Sequence, residues 1–298
     1  MTSKREKEIR KLLSHGDAMQ RLPSPKGVAL EIMRVAQLED TTVDDIADLI
    51  EKDPALSARL IKMANSPVAG FSRQVTSARE ATTVLGFSNV RSLALAASLI
   101  EDSSSCGGLD HEILWAESLG RAVLMRRLAA RLQVVPPDEA FTYGLLSLIG
   151  RLALATVFPD LYEQVIANSD QTNRKAISDA ERRLLQVEAN ELSALMLLDW
   201  GMPKLFAALL ADESDAAGAA LLRMLELASR LAECLVGDPS PREAEAATRL
   251  AAALDVSNDE LEELFDEAAM EWAQSGGEFD VPTRTVEPLA KLLAAASA

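Results

Sequence analysis

Chemistry in this chain would have to come from very few side chains. Among 298 residues there are two histidines, His15 and His111, and two cysteines, Cys106 and Cys234. The histidines lie far apart in sequence, so an imidazole-rich metal site is excluded. The cysteines are isolated, without a C-x-x-C partner, which indicates neither a zinc knuckle nor a disulfide framework. Ser147 stands in Leu-Leu-Ser-Leu-Ile, a mid-helix pattern unlike the strained turn of a G-x-S-x-G nucleophile. His15 and His111 have polar neighbours and read as surface or capping residues. No Gly-rich phosphate cradle of the G-x-x-x-x-G-K-[ST] or G-x-G-x-x-G type is present. The inventory points to a protein that binds without catalysing.

Charge narrows what it binds. With 30 Lys+Arg against 46 Asp+Glu, the formal net charge is −16. Nucleic-acid affinity comes largely from neutralising phosphates, so such a partner is not expected. The basic cluster Lys4-Arg5-x-Lys7-x-x-Arg10-Lys11 is interleaved with Glu6 and Glu8, a pattern that i,i+4 pairing along a helix explains locally. Arg59, Lys62, Arg73 and Arg91 sit in the less acidic half and could meet the phosphate of a small nucleotide-like ligand. Dispersed cations of this kind are usually solvated. Residues 238–298 hold 4 basic and 14 acidic groups, which suggests a tail that attracts basic protein partners or simply keeps the chain soluble.

The elements that must position these groups read as helices. Apolar residues recur at i, i+3 and i+4 throughout, and alternating Val/Ile/Thr strands are absent. Thr42-x-x-Asp45 resembles a capping box. Asp53-Pro54 combines an N-cap with Pro at N1, and Asn65-Ser66 can close the helix that follows. Ser77 opens a helix that Gly86 stops. Long helices are expected near 110–133, 138–157 and 216–236, and acidic ones near 242–254, 258–274 and 285–296, broken at Gly276-Gly277. The expected fold is all-α, a multi-helix bundle with a small acidic helical C-terminal extension. Its divisions are an N-terminal helix over 1–21, a main domain over 22–237 and the extension over 238–298. Gly237-Asp-Pro-Ser-Pro241 marks the last boundary. The charged N-terminus lacks an apolar signal region, and apolar runs of about eight residues fall short of the ~20 a membrane span needs. A cytoplasmic location without membrane contact is expected.

Several stretches resemble the HDOD family, bacterial signalling domains related to HD-type metal phosphohydrolases. Leu22-Pro-Ser-Pro25 is similar to its entry motif, and Asp53-Pro54-Ala-Leu56-Ser-Ala-Arg59-Leu60-Ile-Lys-Met-Ala64-Asn65-Ser66 to its most distinctive run. Ser77-x-x-Glu80-Ala81-x-x-x-Leu85-Gly86, Trp115, Gly144-Leu-Leu146, Ile149-Gly150 and Trp200-Gly-Met-Pro203 follow in order. The likeness spans about residues 20–236 and implies an HD-like bundle. Asp53, Pro54, Leu56, Asn65, Ser66, Gly86, Trp115, Gly144, Gly150, Trp200 and Pro203 are then expected to serve packing and capping.

The same resemblance places the hydrolase metal ligands. The first histidine falls at Glu117, the His-Asp pair at Ser147-Leu148, a later histidine near Ala189 and another near Asp212. None is histidine, and Leu148 cannot ligate a metal. Glu117, Glu188 and Asp212 could in principle hold Mg²⁺ or Ca²⁺ through oxygens, although solvated helix-surface charges are the commoner case. The resemblance therefore implies a regulatory module acting through a protein partner, with a degenerate metal site and no cofactor. The alternatives are a sensor that uses the vestigial cleft for a small ligand and, less favoured, a metal-dependent phosphohydrolase.

Overall fold

The computed structural model describes the chain except residues 1–2, 15–16, 37, 39, 66–73, 103–106, 170–173, 212–215, 238–240, 280 and 297–298. Side chains at 3, 88, 101–102, 174, 216–217, 241–244, 278 and 295–296 are likewise outside it. The described residues form helices and no β-strand. In chain order these are α1 (Ser3–Leu13), α2 (Ala18–Arg21), α3 (Gly27–Val35), α4 (Val43–Ile50), α5 (Pro54–Ala64) and α6 (Ala78–Leu85). Next come α7 (Phe87–Asp102), α8 (His111–Leu132), α9 (Pro137–Leu146), α10 (Ile149–Val157), α11 (Pro159–Asn168) and α12 (Arg174–Leu185). The last are α13 (Ala189–Asp199), α14 (Lys204–Leu210), α15 (Ala216–Val236), α16 (Pro241–Ala252), α17 (Asn258–Phe279) and α18 (Leu289–Ala296).

These helices divide into two compact units. The first comprises Met1–Ser24, Asp102–Leu114 and Leu146–Leu222, the second Pro25–Glu101, Trp115–Leu145 and Arg223–Ala298. The units do not follow the sequence divisions at 21 and 237. Linker composition marks where the chain turns, whereas a unit is defined by which apolar faces bury one another. In the second unit α17 places Leu261, Phe265, Ala268 and Trp272 in the core, so the acidic extension is built into it. The first unit packs α10 against α13, α13 against α14 and α11 against α12.

Local signals explain several helix starts. Thr42 and Asp45 form the reciprocal capping box of α4. The Asp53 carboxylate accepts from the amides of Ala55 and Leu56, both at 3.0 Å, with Pro54 at the first helical position of α5. Two expected features differ. The helix expected over 138–157 is split, with Ser147-Leu148 in a turn between α9 and α10, because the Gly150 amide bonds the Ser193 hydroxyl at 2.8 Å instead of continuing the helix. The expected break at Gly276-Gly277 is absent from α17. A Cβ on Gly276 would lie 2.1 Å from the Thr283 hydroxyl oxygen, so this glycine permits close approach of a following segment. One stretch, Pro137–Val157, is apolar and long enough by composition to cross a membrane, and 89% of its most apolar window is buried within the protein.

Candidate functional site

Within the distinctive run, Asp53–Asn65 is the helix α5 and its caps. Leu56, Leu60 and Ala64 point into the second unit's core. Asn65 closes the helix with a right-handed backbone, its amide nitrogen donating to the carbonyls of Ile61 (2.8 Å) and Val75 (2.7 Å). Its side-chain oxygen accepts from the Val75 amide at 2.8 Å. Ser66, Arg73, Asp212, His15 and Cys106 lie outside the described residues. Gly86 ends α6 at φ +79, a region that favours glycine.

Trp200-Gly-Met-Pro203 is a helix stop. The Gly201 amide donates to the Leu198 carbonyl and the Met202 amide to that of Leu197, with Gly201 at φ +71, a Schellman closure of α13. Pro203 then starts the approach to α14. Trp115 is buried in the second unit. Gly144 allows α9 to lie against α8, since a Cβ there would come within 2.6 Å of Ala122 backbone.

Glu117 is buried in α8 and accepts from Arg121 Nε at 3.1 Å and from its terminal nitrogen at 2.5 Å, an i,i+4 pair with both side chains enclosed. Removing one partner of such a pair costs about 3–5 kcal/mol, because the other charge is left buried. Glu117 belongs to the second unit, whereas Ser147, Leu148 and Ala189 belong to the first. There α10 and α13 cross with almost no space between them. A Cβ on Gly150 would fall 1.8 Å from the Ala189 carbonyl oxygen, and the Ser193 hydroxyl accepts from the Gly150 amide and reaches the Ser147 carbonyl at 3.3 Å. Glycine is required here by backbone proximity.

A buried polar relay that spacing alone did not reveal surrounds the start of α13. Glu181, 2% exposed, accepts from the Ala189 amide at 2.9 Å and from the Tyr162 hydroxyl at 3.3 Å. Arg151 Nε donates to the same hydroxyl at 3.1 Å. Burial raises the Glu181 carboxyl above its ordinary range and pushes the Tyr162 phenol up to about 12. Glu188, one of the oxygen donors considered for a hard cation, is taken by the Ser178 hydroxyl and by Arg182. Among the described residues no three His, Cys, Asp or Glu side chains converge to hold a metal ion.

Of the four cations considered for a phosphate, Arg73 lies outside the described residues. Lys62 donates to the Gly277 carbonyl near the end of α17. Arg59 lies at an apolar slot of the second unit formed by Leu56, Leu60, Met63, Leu93 and Phe279. Arg91 has its Nε enclosed without an acceptor, and burial lowers its pKa. The acidic tail is also less free than its composition suggests. Glu271 of α17 receives Arg126 and Arg127, Glu267 receives Arg127, and Glu260 receives Arg131 at 2.7 Å. A row of arginines on α8 could have suggested such a docking face, but which carboxylates they meet depends on how α17 packs.

The chain is similar to the curated Bacillus subtilis protein YuxH, with 28% identity over 122 residues, which are 41% of this chain and 30% of that relative's length. It is similar to the solved MmoQ response regulator of Methylococcus capsulatus, with 32% identity over 83% of this chain and 99% of that one, TM-score 0.49. A Shewanella amazonensis protein provisionally named a phosphohydrolase matches over 94% of this chain and 99% of its own, with 21% identity and TM-score 0.63, and so shares the fold. The family model of the HDOD domain matches residues 22–216. With the capped signature helix, the glycine-mediated crossings and the Schellman stop in the matched order, the chain belongs to the HDOD domain family.

Proposed function

We propose that this chain is a non-catalytic signal-transduction module that acts by binding a protein partner, with a degenerate metal site. One observation carries the reading: Glu117, at the first ligand position inferred from the family, is closed into a buried pair with Arg121. A guanidinium already satisfies that carboxylate, so a cation there would have to displace it from an enclosed space. The other inferred positions support the same view. Leu148 has no donor atom, and Ala189 brings only backbone, pressed against Gly150. These residues do not fit a di-metal hydrolase centre, which needs several imidazoles and carboxylates around each ion.

Membership of a family of output domains supports a signalling role, and helices with few reactive side chains suit a scaffold. Elemental analysis of the purified protein, with a panel of phosphodiesters assayed in Mn²⁺ and Mg²⁺, tests the proposal. No stoichiometric metal and no turnover are expected. Metal-dependent hydrolysis lost in a Glu117→Gln variant would overturn it.

A further inference from the structure

The helix α1 belongs to the first unit and lies outside the family-matched residues. Arg5 forks onto Glu191 with two bonds of 2.7 Å and also donates to the Gln186 carbonyl at 2.9 Å. Arg10 forks onto Asp199 at 2.6 and 3.0 Å. Glu191 and Asp199 stand at the two ends of α13. Among the described α1 side chains Ile9 and Leu13 are the buried ones, each 1% exposed, while Lys4, Lys7, Glu8 and Lys11 are exposed. An eleven-residue helix is not stable alone in water, so its order depends on tertiary contacts, among them these anchors and forks. Forks with side chains 19–46% exposed are weakened by salt. Elements held by few buried apolar contacts are the ones that open locally below the global unfolding free energy.

We propose that α1 is a releasable strap over a seat along α13, and that the seat fits a basic amphipathic helix of a partner protein. The strap itself shows the chemistry of the occupant: two arginines five residues apart, bonded to the carboxylates of Glu191 and Asp199, on a helix that also buries Ile9 and Leu13. Charge complementarity selects basic helices, and like-charge repulsion rejects acidic ones. The seat is filled while α1 is docked, so a partner helix must compete with it. The proposal deepens the interaction reading given above and rests on it for the partner.

Two measurements on the full chain test it. Native-state hydrogen exchange of the wild type needs no variant. Amides of residues 5–13 are expected to exchange about a hundredfold faster than those of α13 and to speed up further with salt. Exchange of α1 only by global unfolding would overturn the strap. In the second, a fluorescent peptide copying residues 3–13 is titrated into wild type and into an Arg5→Glu/Arg10→Glu variant. The variant, its seat vacated, is expected to bind the peptide about tenfold more tightly than wild type, and the added exchange Glu191→Lys/Asp199→Lys to abolish that binding. Folded variant protein without a gain in peptide binding would overturn the seat. If the charge variant fails to fold, Ile9→Ala replaces it with the same expectation. Both readouts are independent of turnover, so a result that defeats the non-catalytic reading leaves this one standing or falling by itself.

Discussion

The helices α1 and α17 are fastened by the same chemistry and held to very different degrees. Each offers or receives arginine forks, α1 through Arg5 and Arg10, α17 through Glu260, Glu267 and Glu271. Beneath its ion pairs α17 buries Leu261, Phe265, Trp272 and Phe279, and the Trp272 indole donates to the Ala116 carbonyl at 2.9 Å. Beneath its own, α1 buries Ile9 and Leu13. The ion pairs set which surfaces meet. The apolar area behind them decides whether the meeting is permanent. The acidic extension is thus a wall of the second unit, while α1 of the first is held lightly.

The comparison breaks first at Trp272. Trp272→Ala removes a fully buried indole and its hydrogen bond, and is expected to lower unfolding free energy by about 3–5 kcal/mol in urea titration. A loss under 1 kcal/mol would mean that α17 is no more integral than α1. Next is Glu271→Gln, which leaves Arg126 and Arg127 without their shared carboxylate at a side chain 3% exposed. A cost of about 2 kcal/mol is expected, and Glu267→Gln, at an exposed carboxylate, should cost well below half of that.

A pH titration separates the two kinds of carboxylate. Glu260 is held down to about 2 by the Ser257 amide, Arg131 and the Ser257 hydroxyl. A depressed carboxyl stabilises the fold above its unfolded value, and that contribution fades as pH falls toward about 2. Glu181 has the opposite sign: its raised value means that ionisation costs stability as pH rises through its folded pKa. Wild type should therefore lose thermal midpoint between about pH 4.5 and 2. Glu260→Gln should flatten that limb, and an unchanged limb would remove Glu260 from it. The smallest effect belongs to the strap. Arg10→Ala should cost about 0.5 kcal/mol globally while α1 exchange accelerates. A larger global loss would place α1 among the core helices.

Much of the fold was legible because its signals are local. Thr42/Asp45, Asp53-Pro54 and Gly86 act within one turn of chain, and the structure has them in those roles. The Ser147-Leu148 break was not legible, since Leu-Leu-Ser-Leu-Ile is helical by any local criterion. The turn exists because Ser193, more than forty residues away, takes the Gly150 amide. Gly276 misled for the converse reason: its missing Cβ makes room for Thr283, and α17 runs through. At the candidate site, Glu117-x-x-x-Arg121 was an i,i+4 pair in plain view. That both ends are buried could not be read from spacing, because burial depends on what packs over α8.

By itself the sequence determined an all-helical chain of the HDOD type, its caps and stops, and the scarcity of histidine that argues against a metal centre. Those properties depend on side-chain type and on spacing within a few residues. The tertiary structure alone decided that the acidic extension is a wall, that its inner carboxylates are spent on the arginines of α8, and that α1 rests on two anchors. Charge can be counted along a chain, but whether it is free depends on which opposite charge the folded core brings within reach.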